Sequence, residues 1–166
     1  MNKLKLLLLL TLTLSFTACS SGKLDKPEKV GKHVFNLLTK IDSTPEAEYL
    51  ANFMTSEEMN TLGNNETLTT DKWSKDFLTS ITKEALAIEL EDRYNELIED
   101  AKEIGMVWEN IEYDKYDFIT ESELASTGTQ GDLLFIYEGK RYSVAISTIW
   151  DGEEYRLARV AFLSAK

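Results

Sequence analysis

Cysteine and histidine, the side chains that most often serve as nucleophile or zinc ligand, are scarce in this chain of 166 residues. It has one cysteine, Cys19, and one histidine, His33. A zinc site or a nucleophile–base triad needs several such groups together, so we expect no metal, no cofactor and no catalytic residue. His33 lies in a helical pattern and is predicted to be a surface residue. Cys19 is therefore the one nucleophile with a distinctive setting.

Cys19 follows a pattern that is typical of a bacterial export signal. Two lysines precede a short apolar run, and the small residue Ala18 stands immediately before the cysteine. The segment 16–19, Phe-Thr-Ala-Cys, resembles the lipobox of bacterial lipoproteins, which usually has leucine at the position of Phe16. The resemblance implies cleavage before Cys19 and attachment of acyl chains such as palmitate to it.

The leader has two other interpretations. An ordinary secretory signal prefers a small residue three positions before the cut, where Phe16 is large. A membrane-spanning anchor needs roughly 20 apolar residues, and the stretch 6–18 is too short. We therefore expect residues 1–18 to be a lipoprotein signal peptide and the mature chain to be anchored in the bacterial cell envelope by its lipids.

The chain that remains after the leader is acidic and about one domain long. Loss of two lysines leaves 16 basic residues against 29 acidic ones, a net charge of about −13. Nucleic-acid phosphate repels such a surface, so a nucleic-acid partner is excluded. We predict residues 19–26 as a polar tether and residues 27–166 as a single domain.

Apolar residues recur at helical spacing through the first two thirds of that domain. The first expected helix covers residues 27–41, and the second begins at a cap at Ser43 or Thr44. The third runs from a capping box at Thr55 to Gly63. Two further apolar stripes, which a break at Thr82 separates, continue as far as Gly105. The first of the two stripes contains Trp73, Phe77 and Ile81.

After Gly105 the apolar period becomes two, which is typical of strands. The expected strands are 111–119, 133–138, 141–150 and 154–163, with a loop at 126–131. Gly139-Lys140 and Asp151-Gly152 are predicted to be two-residue hairpin turns.

These turns predict the register of the sheet. They set Tyr137 opposite Tyr142 and Ile146 opposite Leu157. One face then collects the large side chains, and the other face of the third strand is small, either solvated or closely packed. The large set is Leu133, Phe135, Tyr137, Tyr142, Val144, Ile146, Trp150, Tyr155 and Leu157, and the small set is Ser143, Ala145, Ser147 and Ile149.

Helices followed by an antiparallel meander define an α+β plan. This order, over residues 27–163, resembles the cystatin-like roll of the nuclear transport factor 2-like superfamily, in which N-terminal helices pack on the concave side of a curved antiparallel sheet. The resemblance rests on element order alone. Catalytic members of that superfamily carry an inward Asp–His or Asp–Tyr arrangement, from which a chain with one histidine departs. The superfamily is functionally mixed, so the fold does not give an activity.

Two surfaces are candidates for binding. The first is a ligand cleft on the concave face, formed by Tyr137, Tyr142, Trp150, Tyr155 and Arg159. Arg159 is expected to point to the same face of the sheet as Tyr155, and Arg156 is expected to point to the other face. Aromatic walls with an arginine suit a small anionic ligand, although the same residues equally describe a filled core.

The second surface is a stripe of acidic side chains on the long helix, which would bind a basic protein partner or be a solvated face. It comprises Glu89, Asp92, Glu96, Glu99, Asp100 and Glu103.

The sequence thus predicts an envelope-anchored, non-catalytic module that binds a small ligand or an envelope protein. The alternatives are a pocket hydrolase or isomerase on the same roll, and an acidic inhibitor or immunity-type binder whose binding depends on salt.

Overall fold

The computed structural model of the protein describes residues 22–70, 72–120 and 128–166. Cys19, the leader and the start of the predicted loop 126–131 lie outside these residues. The helical elements are α1 (Pro27–Leu38), a 3₁₀ turn (Ile41–Ser43), α2 (Glu46–Leu50), α3 (Ser56–Gly63), α4 (Lys72–Ser80), α5 (Lys83–Glu103) and a 3₁₀ turn (Trp108–Asn110). The strands are β1 (Glu112–Thr120), β2 (Gly128–Tyr137), β3 (Lys140–Trp150) and β4 (Tyr155–Ala165). They form one antiparallel sheet in the order β1-β2-β3-β4, so the predicted α+β class is confirmed.

Two helices begin at the predicted caps. The Thr55 hydroxyl accepts the Glu58 N–H, and the Glu58 carboxylate accepts the Thr55 N–H at 2.7 Å, which completes a capping box at α3. Thr82 accepts the Ala85 N–H at 3.1 Å and separates α4 from α5. Such side chains satisfy amide donors that have no partner inside the helix.

The first two helices differ from the prediction. α1 ends at Leu38 rather than at Ile41, and the chain continues as a 3₁₀ turn. The hydroxyls of Ser43 and Thr44 do not cap α2, because both donate to the carbonyl of Lys40. α2 is consequently a single short turn with no side-chain cap.

The β2–β3 turn lies one residue earlier than predicted. Its central residues are Glu138 and Gly139, with φ values of 48° and 75°. Two successive positive φ angles are typical of a type I′ turn, whose backbone twist matches the twist of the flanking strands. Phe135 therefore faces Tyr142, and the predicted pairing of Tyr137 with Tyr142 is wrong by two residues. A shift of two leaves every side chain on its predicted face.

The β3–β4 turn is longer than the predicted Asp151-Gly152 turn. The Asp151 carboxylate accepts the N–H groups of Glu153 and Glu154, so four residues form the connection and Trp150 faces Tyr155. The register at this turn again differs from the prediction by two residues, so the paired side chains stay on their predicted faces of the sheet.

A β-bulge at Ala158 then changes the face of the residues that follow in β4. Thr148 faces Leu157, but the next residue of β3, Ser147, faces Arg159. The bulge adds one residue to β4 alone, which reverses its inward and outward positions. Ile146 therefore faces Val160 rather than Leu157.

The same bulge changes the predicted face of Arg159, whereas Arg156 lies where it was expected. Arg156 faces Ile149 and Arg159 faces Ser147, so both arginines lie on the small-residue face. The prediction that Arg159 shares the face of Tyr155 and opposes Arg156 is wrong.

Strand β2 begins at Gly128, inside the segment predicted to be a loop. A Cβ atom at Gly128 would collide with the carbonyl oxygen of Thr148, and one at Gly131 would collide with that of Asp117. The glycines therefore serve close approach of neighbouring strands rather than a turn.

Apolar side chains form two clusters, one on each face of the sheet. The larger one packs α1 and the second half of α5 against the large-residue face, with Val34, Leu97 and Phe135 at its centre. The smaller one packs α3, α4 and the start of α5 against Ile149 and Ala158. The helices of the smaller cluster therefore cover the small-residue face of β3 at the end next to the β3–β4 turn.

Candidate functional site

A cavity of about 450 Å³ lies between the helices of the smaller cluster and the small-residue face of the sheet. Trp73, Phe77 and Ile81 line it from the helical side. Ser147 and Arg159 line it from the strands. We refer to it as the α4 cavity.

The mouth of the α4 cavity carries two exposed aromatic rings. Trp73 and Phe77 lie one helical turn apart, and their rings stack with centroids 5.6 Å apart and planes 3° from parallel. Trp73 is 71% exposed and Phe77 is 49% exposed. Large apolar side chains left in water next to a cavity are typical of a binding site.

The strand wall of the α4 cavity supplies polar groups. Gln130 and Ser147, which pair across β2 and β3 on the small-residue face, line the cavity together with Arg159. A guanidinium nitrogen of Arg159 lies 3.9 Å from a carboxylate oxygen of Glu89. This ion pair is long and close to solvent, so it contributes little and leaves most arginine donors open to a ligand.

The aromatic residues predicted to form a cleft are not brought together. Tyr137 and Tyr142 are buried in the larger cluster, where the Tyr137 hydroxyl donates to the Gly105 carbonyl at 2.8 Å. The rings of Trp150 and Tyr155 pack against each other with their centroids 4.9 Å apart. Tyr142 and Trp150 are eight residues apart on β3, which is about 26 Å along a strand. Of the predicted set, Arg159 alone lines the α4 cavity.

Sequence reasoning missed Trp73 and Phe77 as site residues. Their spacing predicts an apolar helix stripe, which is usually buried. The predicted apolar stripe is present on α4, but no signal in the sequence distinguishes an exposed stripe from one that is buried in the core. Exposure depends on which strand residues lie opposite, and those are the small side chains set by the register.

The predicted acidic stripe lies on the solvent side of α5 except for Glu89, which lines the α4 cavity beside Arg159. Its exposed members are Glu89, Asp92, Glu96, Glu99 and Glu103, while Asp100 is half-buried. Glu96 forms an ion pair with Arg93 at 2.6 Å. No group of three metal-type ligands occurs among the residues that the structure describes. A role in partner binding stays a prediction.

His33 is half-buried rather than fully at the surface. It lines a second cavity of about 240 Å³ together with Leu24, Asn52 and Glu154. Burial lowers the pKa of His33 below its usual value, and the Glu154 carboxylate opposes that effect. Glu154 and Arg156 are the charged residues that line this cavity with His33.

Comparison with known proteins finds no matching family model, no matching curated protein and no matching solved structure. The likeness to the lipobox and to the cystatin-like roll therefore remains a prediction from the sequence. Within residues 22–70, 72–120 and 128–166, no helix is long and apolar enough to cross a membrane.

Proposed function

We propose that this protein is an envelope-anchored binding module that holds a small, largely apolar ligand in the α4 cavity. One observation carries the proposal, which is the exposed Trp73–Phe77 stack at the mouth of a 450 Å³ cavity. Cavities of roughly 300–1,000 Å³ with apolar walls and a few polar groups are usual for small-molecule sites. The aromatic stack provides a flat apolar surface, and the side chains of Ser147 and Arg159 orient the ligand.

The lining of the α4 cavity suits binding without catalysis. Its ionisable side chains in the described part of the chain are Glu89 and Arg159, which face each other near solvent. A general acid or base needs a group positioned to give up or take a proton at the reacting atom. Glu89 and Arg159 form a surface ion pair at 3.9 Å, which suits holding a charged group of a ligand.

The envelope location rests on the leader. Acyl chains on Cys19 would attach the module to a membrane, since each buried methylene contributes about 0.8 kcal/mol and several chains anchor stably. The domain would then present its cavity at the membrane surface.

Fluorine NMR of the full chain labelled with fluorotryptophan tests the site directly. The three tryptophans report on different places: Trp73 on the α4 cavity, Trp108 on the larger cluster and Trp150 on the residues first predicted as a cleft. Titration with naphthoate, a small water-soluble aromatic anion, should shift the Trp73 signal in a saturable way and leave the Trp108 signal unchanged.

Matched variants sharpen this test. Ser147→Leu places three further carbons at the cavity wall and should abolish the Trp73 shift, whereas Thr61→Leu on the exposed side of α3 should not. A saturable shift at Trp150 without one at Trp73 would place the site elsewhere. Absence of any saturable shift would contradict the proposed function.

A further inference from the structure

We infer that the ligand of the α4 cavity is a single-tailed amphiphile with an anionic head, of the long-chain carboxylate class, taken from the membrane that anchors the chain. This inference rests on the proposed function, because it needs both the cavity and the lipid anchor. It adds the chemical class of the ligand and its source. Three features of the structure support it.

The first feature is that the end of the tether is docked on the fold. The Leu24 carbonyl accepts the Tyr155 N–H at 2.9 Å, and the Leu24 N–H donates to the Glu154 carboxylate at 3.1 Å. Lys23 lies 2.9 Å from Glu153. The four residue steps from Cys19 to Lys23 span at most about 14 Å of fully extended chain. An acylated Cys19 would therefore hold the β3–β4 turn close to the lipid headgroups.

The second feature is that the α4 cavity lies at this same end of the sheet. Its strand wall includes Ser147 and Ile149, the latter two residues before the β3–β4 turn. A Cβ atom at Gly152 in that turn would lie 3.1 Å from Leu68, which packs on the smaller cluster. Trp73 and Phe77 are thus exposed at the end of the fold where the tether docks, and tryptophan is enriched at lipid–water interfaces.

The third feature is the chemistry of the cavity lining. Side chains of α4 and of the segment after it, including Phe77, Leu78 and Ile81, give an apolar wall suited to an alkyl tail. Arg159 offers a planar fork of donors that matches a carboxylate. Glu89 binds that fork at 3.9 Å, a weak contact that an anionic head can replace.

Photocrosslinking of the acylated full-length protein in phosphatidylcholine vesicles tests the inference. The probe is palmitate with a photoactivatable diazirine in its chain, and mass spectrometry maps the crosslinked peptides. We expect crosslinks in α4. Arg159→Gln should lower their yield about tenfold, the effect of losing a hydrogen bond to a charged group. Arg156→Gln is the matched control, because Arg156 lies on the same face but outside the α4 cavity, and it should keep the yield.

A longer tether tests the membrane source. Twelve Gly/Ser residues inserted between Ser21 and Gly22 lengthen the segment that joins Cys19 to Lys23. Its length rises from four residue steps to sixteen. Effective concentration falls as about the −3/2 power of length, so the initial crosslinking rate from vesicle palmitate should fall about eightfold. The rate with a water-soluble diazirine octanoate should not change.

The outcomes separate the inference from the function on which it rests. Cavity crosslinks with octanoate but none with vesicle palmitate would overturn the inference and keep the binding module. Equal palmitate rates with both tethers would overturn the membrane source, and equal yields with the corresponding long-chain alcohol would overturn the anionic head. Absence of crosslinks from every probe would overturn the inference and, with a negative naphthoate titration, the proposed function.

Discussion

Single carboxylates join parts of this chain that are distant in sequence. Glu58 completes the capping box of α3 and lies 2.8 Å from Arg156 on β4. Burial raises the pKa of Glu58, but the hydrogen bonds from Thr55 and the Arg156 charge outweigh burial and hold that pKa below its usual value. This contribution to stability is present above the unfolded-state pKa and is lost as the pH falls through the lowered one.

His33 gives a pH dependence in a higher range. Because burial lowers its pKa below 6.5, the unfolded chain binds the proton more readily than the folded chain. Stability is unaffected above about pH 7 and decreases as the pH falls through the unfolded-state value. We expect the free energy of unfolding, measured with urea, to drop between about pH 7 and pH 5, and to drop less in His33→Gln. Equal drops in both proteins would show that His33 is not desolvated.

At the scale of the elements, register decides which strand residues enter the core. Ile146 is 1% exposed and faces Val160 within the larger cluster. Ile119, near the end of β1, is 66% exposed. Both are isoleucines on strands of one sheet, so they differ in burial rather than in side-chain type.

This contrast predicts two different costs for the same substitution. Ile146→Ala should lower the free energy of unfolding by about 2–5 kcal/mol, because it removes buried methyl groups and leaves a cavity. Ile119→Ala should change it by less than about 0.5 kcal/mol, as exposed sites do. Urea denaturation of both variants gives the comparison. Similar costs would show that the face assignment of β1 or β3 is incorrect.

At the scale of the whole molecule, the helices are divided between the two faces of the sheet. α1 and the second half of α5 cover the large-residue face, and α3 and α4 cover part of the small-residue face. The α4 cavity occupies the incompletely filled side. Because the cavity lies at the same end of the sheet as the docked segment Lys23–Leu24, the proposed lipid anchor would affect access of the proposed ligand as well as location.

The anchor itself has a direct test. Cys19→Ser removes the acyl acceptor, so the protein should remain unprocessed or leave the membrane fraction. Ser20→Ala, one residue further on, is the control and should behave as the unchanged protein. Detergent-phase partitioning and membrane fractionation measure the difference. Unchanged partitioning of Cys19→Ser would refute lipidation.

The sequence by itself determined the features that depend on neighbouring residues. The capping box at Thr55, the break at Thr82 and the change of period after Gly105 predict helices followed by an antiparallel sheet. Local signals suffice there because a cap or a period acts within one or two turns of chain. The two hairpins were found in the same way, each with its register wrong by two residues, because the β2–β3 turn lies one residue earlier than predicted and the β3–β4 turn is two residues longer.

Tertiary structure decided the candidate site. The bulge at Ala158, which no turn residue signals, moves Arg159 to the face of the cavity. Packing of α4 over small strand residues leaves Trp73 and Phe77 in solvent, although their spacing alone is that of a core stripe. These outcomes depend on contacts between segments far apart in the chain. A helix pattern records that one of its faces is apolar, and the strand that lies opposite determines whether that face is filled or left open for a ligand.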